Sequence, residues 1–394
     1  MRHESYLSCK PFALLGLLLP LHVAQESHPD KNIAAALQSF VDSKGIAGAV
    51  TVVANSEKTL SVDAVGYSDL KPGAKMRPDS LFWIASQSKP ITSSAIMMLV
   101  DEGRVHLDDP VEKYLPEFHG QKLIDPADSE HKRLISNDHP ITVRQILSHT
   151  SGLPFSTPEE SPTLDGMPLK DAVATYAKAP LQFEPASKYQ YSNAGINTAG
   201  RIIEVVSGQP YEQFLQKHLF DPLGMKDTTF WPTGSQLERL AASYKPSDNK
   251  TELVPTTVTQ LKYPLNGKDR YPMPAGGLFS TAGDLTKFCQ MILNGGEYHN
   301  KRILSEQSVY LMTHKQTSEK IKEGYGLGWS VNGPSFGHGG AYSTNMNINS
   351  DYGLIFIYMV QNAGFPNDGA RSQDAFVKAA MAEFGPDSLY RKKP

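Results

Sequence analysis

The sequence predicts an α/β (α+β) chain: one antiparallel sheet built from both ends, flanked by terminal helices, with an all-helical lobe inserted between. Three observations lead there. Strand-like segments, β-branched or alternating, are confined to the first 85 residues and to those after Gly324. Between them lies a helix- and loop-rich stretch dense in proline. A helical apolar period brackets the whole at each end. The sheet lobe then covers about 30–85 and 276–390, the helical lobe about 86–275, and a cleft separates them.

Residues 1–24 are set aside first. Arg2 and Lys10 lead into the apolar run Pro11–Val23. That run is shorter than the roughly 20 residues of a membrane span and fits a secretory signal peptide ending near Ala24. The mature domain is expected over 25–394, exported to the periplasm or secreted, with no integral span. Cys9 leaves with the leader, so Cys289 remains and no internal disulfide is expected. Asn32 is expected to cap a helix over Ile33–Lys44, with Ile33, Leu37, Phe40 and Val41 on one face. Ile46–Ala54 and Thr59–Tyr67 read as a hairpin across the polar loop Asn55–Lys58. Ser86–Glu102 reads as a long helix stopped by Gly103. In the middle, Asp109-Pro110 opens a short helix, Asn193 caps Ala194–Ser207 and Pro210 opens Tyr211–Leu219. Ser280-Thr281-Ala282-Gly283-Asp284 starts Leu285–Leu293. Strands follow at Leu327–Asn332, Ala341–Asn349 and Gly353–Val360, then a last helix at about Ser372–Phe384.

A chain of 394 residues, 40% hydrophobic, can enclose a dry active site. Its 38 basic against 41 acidic residues give a net charge of −3, which argues against a nucleic-acid partner. The 12 histidines show no His-Glu-x-x-His or Cys/His spacing, and no glycine-rich phosphate loop follows a strand. Neither metal nor nucleotide cofactor is expected. A small-molecule ester or amide substrate is, and nothing in the pattern specifies an oligomer.

The chemistry-bearing segment is Ser86-Gln87-Ser88-Lys89. On a helix, Ser86 and Lys89 share a face one turn apart, with the serine at the positive end of the dipole. The amine can take the serine proton only if its pKa falls well below about 10.4, which burial and a second nearby cation would bring about. Alone, Ser-x-x-Lys recurs by chance as a capping serine and an exposed lysine. Two further segments strengthen it. Tyr191-Ser192-Asn193 supplies a phenol that, between two cations, can lose and relay a proton, and an amide to hold Lys89 or a substrate carbonyl. His338-Gly339-Gly340-Ala341 supplies a backbone edge against which substrate can lie, and the Ala341 and Ser86 N–H groups can form an oxyanion hole.

These three elements, in this order, resemble those of the serine β-lactamase and penicillin-binding-protein family. That family includes class C β-lactamases, D-alanyl-D-alanine carboxypeptidases and the family VIII carboxylesterases. Leu147-Ser148-His149-Thr150-Ser151-Gly152-Leu153-Pro154, Gly276-Gly277-Leu278-Phe279-Ser280-Thr281 and Tyr325-Gly326-Leu327-Gly328-Trp329 are similar to stretches of the same family. The resemblance covers roughly Ile33 to Phe384 and implies the β-lactamase/transpeptidase-like fold. It implies that Ser86 is acylated, that Lys89 and Tyr191 share general-base and general-acid duty, and that water releases the acyl group. Which of the two deprotonates the serine stays open.

The third motif departs from the family. Where the lactamases carry a hydroxyl that helps bind a carboxylate, this chain has Gly339, and the lysine position holds His338. Both changes favour neutral esters, so a carboxylesterase is expected first. A D-alanyl-D-alanine carboxypeptidase or β-lactamase comes second, through a protonated His338, and a non-hydrolysing sensor third. Two other signals mislead. Gly333-Pro334-Ser335-Phe336-Gly337 imitates a nucleophile elbow, but a strand rather than a helix follows, so Ser335 reads as a turn residue. Ser247-Asp248-Asn249 sits in a polar loop and reads as solvated. His149 has a second reading at the cleft edge but reads first as a helix-end residue before the turn Ser151-Gly152, and Cys289 reads as a packed core thiol.

Overall fold

The structure, a computed structural model, describes residues 31–128 and 133–386. The leader expected over 1–24 lies outside the described residues. Helix α1, Lys31–Asp42, leads into strands β1, Gly48–Ala54, and β2, Thr59–Asp69, which pair antiparallel as the expected hairpin. The helix starts one residue before Asn32, which therefore lies in its first turn rather than at its cap. A short strand β3, Ala74–Lys75, closes that edge. At the far end of the chain come β4, Ser330–Asn332, β5, Ser335–Gly339, β6, Asn345–Asn349, and β7, Leu354–Met359. The sheet has seven strands in the order β4-β5-β6-β7-β1-β2-β3, so the two chain ends meet where β7 pairs antiparallel with β1.

Period-two patterning decides what each face covers. On β7, Leu354, Phe356 and Tyr358 join Ile33, Leu37 and Phe376 of the terminal helices, while Ile355, Ile357 and Met359 join the interior. Both central strands are buried on both faces, hence their unbroken apolar runs. The last helix spans Ser372–Phe384 and packs on α1. The opposite face takes the helix Ala282–Leu293, whose Cys289 is a buried thiol against Met346, as its sequence setting implied.

The middle of the chain carries α2, Ser88–Asp101, α3, Val143–Leu147, and α4, Asn193–Ser207; α4 packs on both of the others. It also carries two small hairpins and several single turns. Loop 155–168 is fastened by Asp165, fully buried, which accepts from the Arg270 guanidinium at 2.6 Å and from the Lys262 amide at 2.7 Å. No described helix is long and apolar enough to cross a membrane.

Candidate active site

The helix expected from Ser86 begins at Ser88 instead. Ser86 lies on a preceding 3-10 turn, Ala85–Gln87, that enters with Ala85 at φ +45°. That left-handed conformation costs an L-residue about 1–3 kcal/mol and persists only where neighbours enforce it. Here they do. Ser88 Oγ donates to the Ala85 carbonyl at 2.7 Å and accepts from the Leu278 amide at 3.3 Å. Ile84 N–H donates to Leu278 O at 3.0 Å, and Trp83 Nε1 to Gly276 O at 2.8 Å. The Gly276–Thr281 stretch is thus the brace of the Ser86 turn. From Ser80 to Leu99 every residue is buried except Ser86. Its own amide sits in the first turn, where an N–H has no intrahelical acceptor.

Lys89 is fully buried. Its Nζ lies 2.8 Å from Asn193 Oδ1, 2.8 Å from Ala275 O and 3.0 Å from Ser86 Oγ. Burial pushes the amine well below its ordinary range; no second cation is involved. Two of the three contacts are pure acceptors and the third is a hydroxyl. A neutral amine has two N–H bonds and one lone pair, so it fits this environment, with the lone pair toward the Ser86 O–H. The protonated amine fits the same three oxygens. Ala275 is itself placed by Asn197 Oδ1, which accepts its N–H at 3.0 Å.

Ser192, not Asn193, caps α4: its Oγ accepts the Gly195 N–H at 3.0 Å. Asn193 is the first helical residue, and its amide is therefore free to hold Lys89. Tyr191 is half-buried beside Ser86, which bears on the ionisation of its hydroxyl, while Lys89 Nζ lies 4.6 Å from its ring centre. The phenol was expected between two cations that would help it ionise. Burial instead drives it above the usual tyrosine range, which Ser86 offsets only in part.

The third motif lies on a strand rather than in a turn ahead of one: β5 includes both Ser335 and His338. Gly340 follows, and its amide donates to Thr344 O at 2.7 Å. A Cβ there would meet Ile84 O at 2.6 Å and Thr344 Oγ1 at 2.2 Å, so the glycine lets this edge abut the Ser86 turn. Gly339 and Ala341 are exposed beside it, and Ala341 N–H donates to no described residue. His338 is only 7% exposed. Its Nδ1 sits 2.7 Å from Gly339 O and its Nε2 3.0 Å from the Tyr325 hydroxyl. A carbonyl only accepts, so Nδ1 carries the proton and Nε2 accepts. Burial, with Lys89 nearby, lowers the imidazole to about 3.

Two further residues stand here to which the sequence assigned no role. His149 is buried, its ring centre 4.5 Å from that of Tyr191, and Tyr325 lies between His149 and His338. Both stand in stretches that carry the family resemblance, which was the available signal; no periodicity aims them inward. Ser335 sits on β5, where its Oγ accepts from Asn349 Nδ2 at 3.0 Å. Ser247-Asp248-Asn249 is a largely exposed loop, as expected. Among the described residues no group of His, Cys, Asp or Glu is placed to hold a metal ion.

Comparisons with known proteins show the family and the fold. Esterase EstB of Burkholderia gladioli is 34% identical over 54% of this chain and 55% of its own length. The D-alanyl-D-alanine-carboxypeptidase/endopeptidase AmpH of Escherichia coli K12 is 28% identical over 70% of this chain and 67% of its own. The solved structure of EstCE1, described as a hydrolase with promiscuous acyltransferase activity, superposes with a TM-score of 0.73 at 23% identity, covering 89% of this chain and 98% of that one. The β-lactamase family model matches residues 33–380, and with the three ordered motifs and the seven-stranded sheet in place, the chain belongs to the β-lactamase family.

Proposed function

We propose that this protein is a serine hydrolase that cleaves small, uncharged carboxylic esters through an acyl-enzyme on Ser86. The observation that carries the reading is the buried Lys89 amine, which meets two carbonyl acceptors and one hydroxyl, that of Ser86. In the first step the Lys89 lone pair takes the Ser86 proton as Oγ bonds to the ester carbonyl carbon. The resulting ammonium keeps the same three oxygens as partners. The carbonyl oxygen gathers charge against the Ser86 and Ala341 N–H groups; one such donor is worth about 3–4 kcal/mol. Tyr191, a neutral phenol, passes a proton to the departing alkoxide, and the Lys89 ammonium beside its ring, which holds the proton taken from Ser86, restores it. Water then releases the acyl group by the same steps in reverse order.

Neutral esters are favoured because the third motif offers little to a carboxylate. Both His338 nitrogens are committed to neutral partners, and Gly339 has no hydroxyl. The proposal includes export, with 1–24 as a cleaved leader. Turnover of a short-chain aryl ester, compared with a chromogenic cephalosporin and a D-Ala-D-Ala peptide, tests the reading. Ester turnover alone supports it. Peptide or cephalosporin turnover without ester turnover moves the assignment to the carboxypeptidase or lactamase side, and no turnover with no covalent labelling moves it to a sensor.

A further inference from the structure

His149 and Tyr325 take no part in the mechanism above, yet both are buried against it. His149 grips the segment that bears Tyr191. Its carbonyl accepts the Gln190 N–H at 2.8 Å and its Nδ1 accepts the Ser192 N–H at 3.1 Å, so the two amides flanking Tyr191 both end on one residue. That geometry requires His149 at φ +59°, just past the end of α3. Its Nε2 then lies 3.2 Å from the Tyr325 hydroxyl, which lies 3.0 Å from His338 Nε2.

The two ends of this chain fix every proton in it. The Ser192 amide only donates, so His149 Nδ1 accepts and its Nε2 carries hydrogen. The Gly339 carbonyl only accepts, so His338 Nδ1 carries hydrogen and its Nε2 accepts. Tyr325 must therefore accept from His149 and donate to His338. Four bonds run in one direction, from a backbone N–H to a backbone C=O, with both imidazoles neutral. Adding a proton to His338 Nε2 would leave the Tyr325 O–H with no acceptor in a buried site. Nor does anything nearby favour an imidazolium. The titratable groups around His338 are Lys89, Tyr191, Tyr325 and His149, and the strands on either side of β5 carry no charged residue.

Resting on the esterase reading above, we infer that Tyr325 is a specificity-determining positioning residue. Its hydroxyl, clamped between His149 and His338, holds His338 as a neutral acceptor turned away from substrate and so closes the site to esters that bear a carboxylate on the acyl group. The test compares p-nitrophenyl hexanoate with the mono-p-nitrophenyl ester of adipic acid, on the wild-type protein and on Tyr325→Phe, from pH 8 to pH 5. In the wild type the adipate-to-hexanoate ratio of kcat/KM is low and flat. In Tyr325→Phe, His338 Nε2 loses its donor, so a proton there no longer strands the Tyr325 O–H and the imidazole ionises at higher pH than in the wild type. The ratio then rises about tenfold as pH falls, through a lower KM for the anionic ester. An identical pH response in the two proteins overturns the proposal. Histidine 15N spectra of the wild type, assigned with His149→Gln and His338→Gln, give a readout that needs neither turnover nor folding of the Phe variant. Neutral Nε2–H His149 and neutral Nδ1–H His338 at pH 6 support the wire, and a cationic His338 or its Nε2–H tautomer overturns it. If the wild type hydrolyses neither ester and a fluorophosphonate leaves Ser86 unlabelled, the esterase reading falls, while the spectra still decide the wire.

Discussion

At the scale of single residues the chemistry turns on which group is charged before substrate arrives. Burial pushes the Lys89 amine down and the Tyr191 phenol up, which is why the proposed mechanism gives the amine the role of base and the phenol that of proton carrier. The neutral amine is the active form, so kcat/KM for an ester rises with pH through the depressed Lys89 ionisation and then levels off. Lys89→Arg, which keeps the charge but holds its proton at every working pH, lowers kcat by about 10²–10⁴ and removes that rise. Tyr191→Phe separates the two roles. An aryl ester whose leaving group departs as a stable anion needs little proton donation, whereas an ethyl ester needs it fully. The variant therefore loses about 10–100-fold more kcat on the ethyl ester than on the p-nitrophenyl ester. Equal losses on both would return Tyr191 to the role of base.

At the scale of elements, the site is assembled by segments that brace one another. The Ser86 turn leans on the Gly276–Leu278 stretch, α4 presents Asn193 because Ser192 takes over its cap, and β5 closes on the Ser86 turn through Gly340. The loop over 155–168 depends on the Asp165–Arg270 pair, both side chains almost wholly buried. Asp165→Asn strands the guanidinium without its counter-charge and lowers unfolding free energy by about 3–5 kcal/mol. Chemical denaturation checks this, and a change under 1 kcal/mol would show that the pair is not what fastens the loop. The cap at Ser192 shows why neighbouring candidates are hard to separate from sequence. Ser and Asn both cap well, and only the contact from Lys89 to Asn193 decides which of them is spared for chemistry.

At the scale of the whole molecule, the layered plan was legible because the two central strands announce themselves as unbroken apolar runs and the two terminal helices by period. The Ser372–Phe384 helix has the expected bounds. Ser86, Lys89, Tyr191, Asn193 and His338, named from three short motifs, do converge in space. What the sequence hid was local geometry. The left-handed Ala85 and its 3-10 turn depend on Leu278, 190 residues from Ser88, and the strand through His338 is fixed by its pairing with Met346 on β6. His149 and Tyr325 were hidden because a buried hydrogen-bonded side chain leaves no periodic trace. Their burial has a global consequence. Both histidines titrate below the ordinary value near 6.5, so the unfolded chain binds more protons in acid. Their contribution to stability is full above pH 6.5 and falls by about 1.4 kcal/mol per histidine for each pH unit below it, until the native group itself protonates. Urea midpoints taken from pH 7 to pH 4 measure this, and His149→Phe or His338→Phe flattens the slope.

Mass spectrometry of the protein trapped with a fluorophosphonate, read peptide by peptide, tests the central assignment most directly. The adduct belongs on the peptide containing Ser86, its yield falls with pH as Lys89 protonates, and Ser86→Ala abolishes both adduct and ester turnover, the latter by about 10⁴–10⁶. An adduct on Ser335, or turnover that survives Ser86→Ala, would contradict the account.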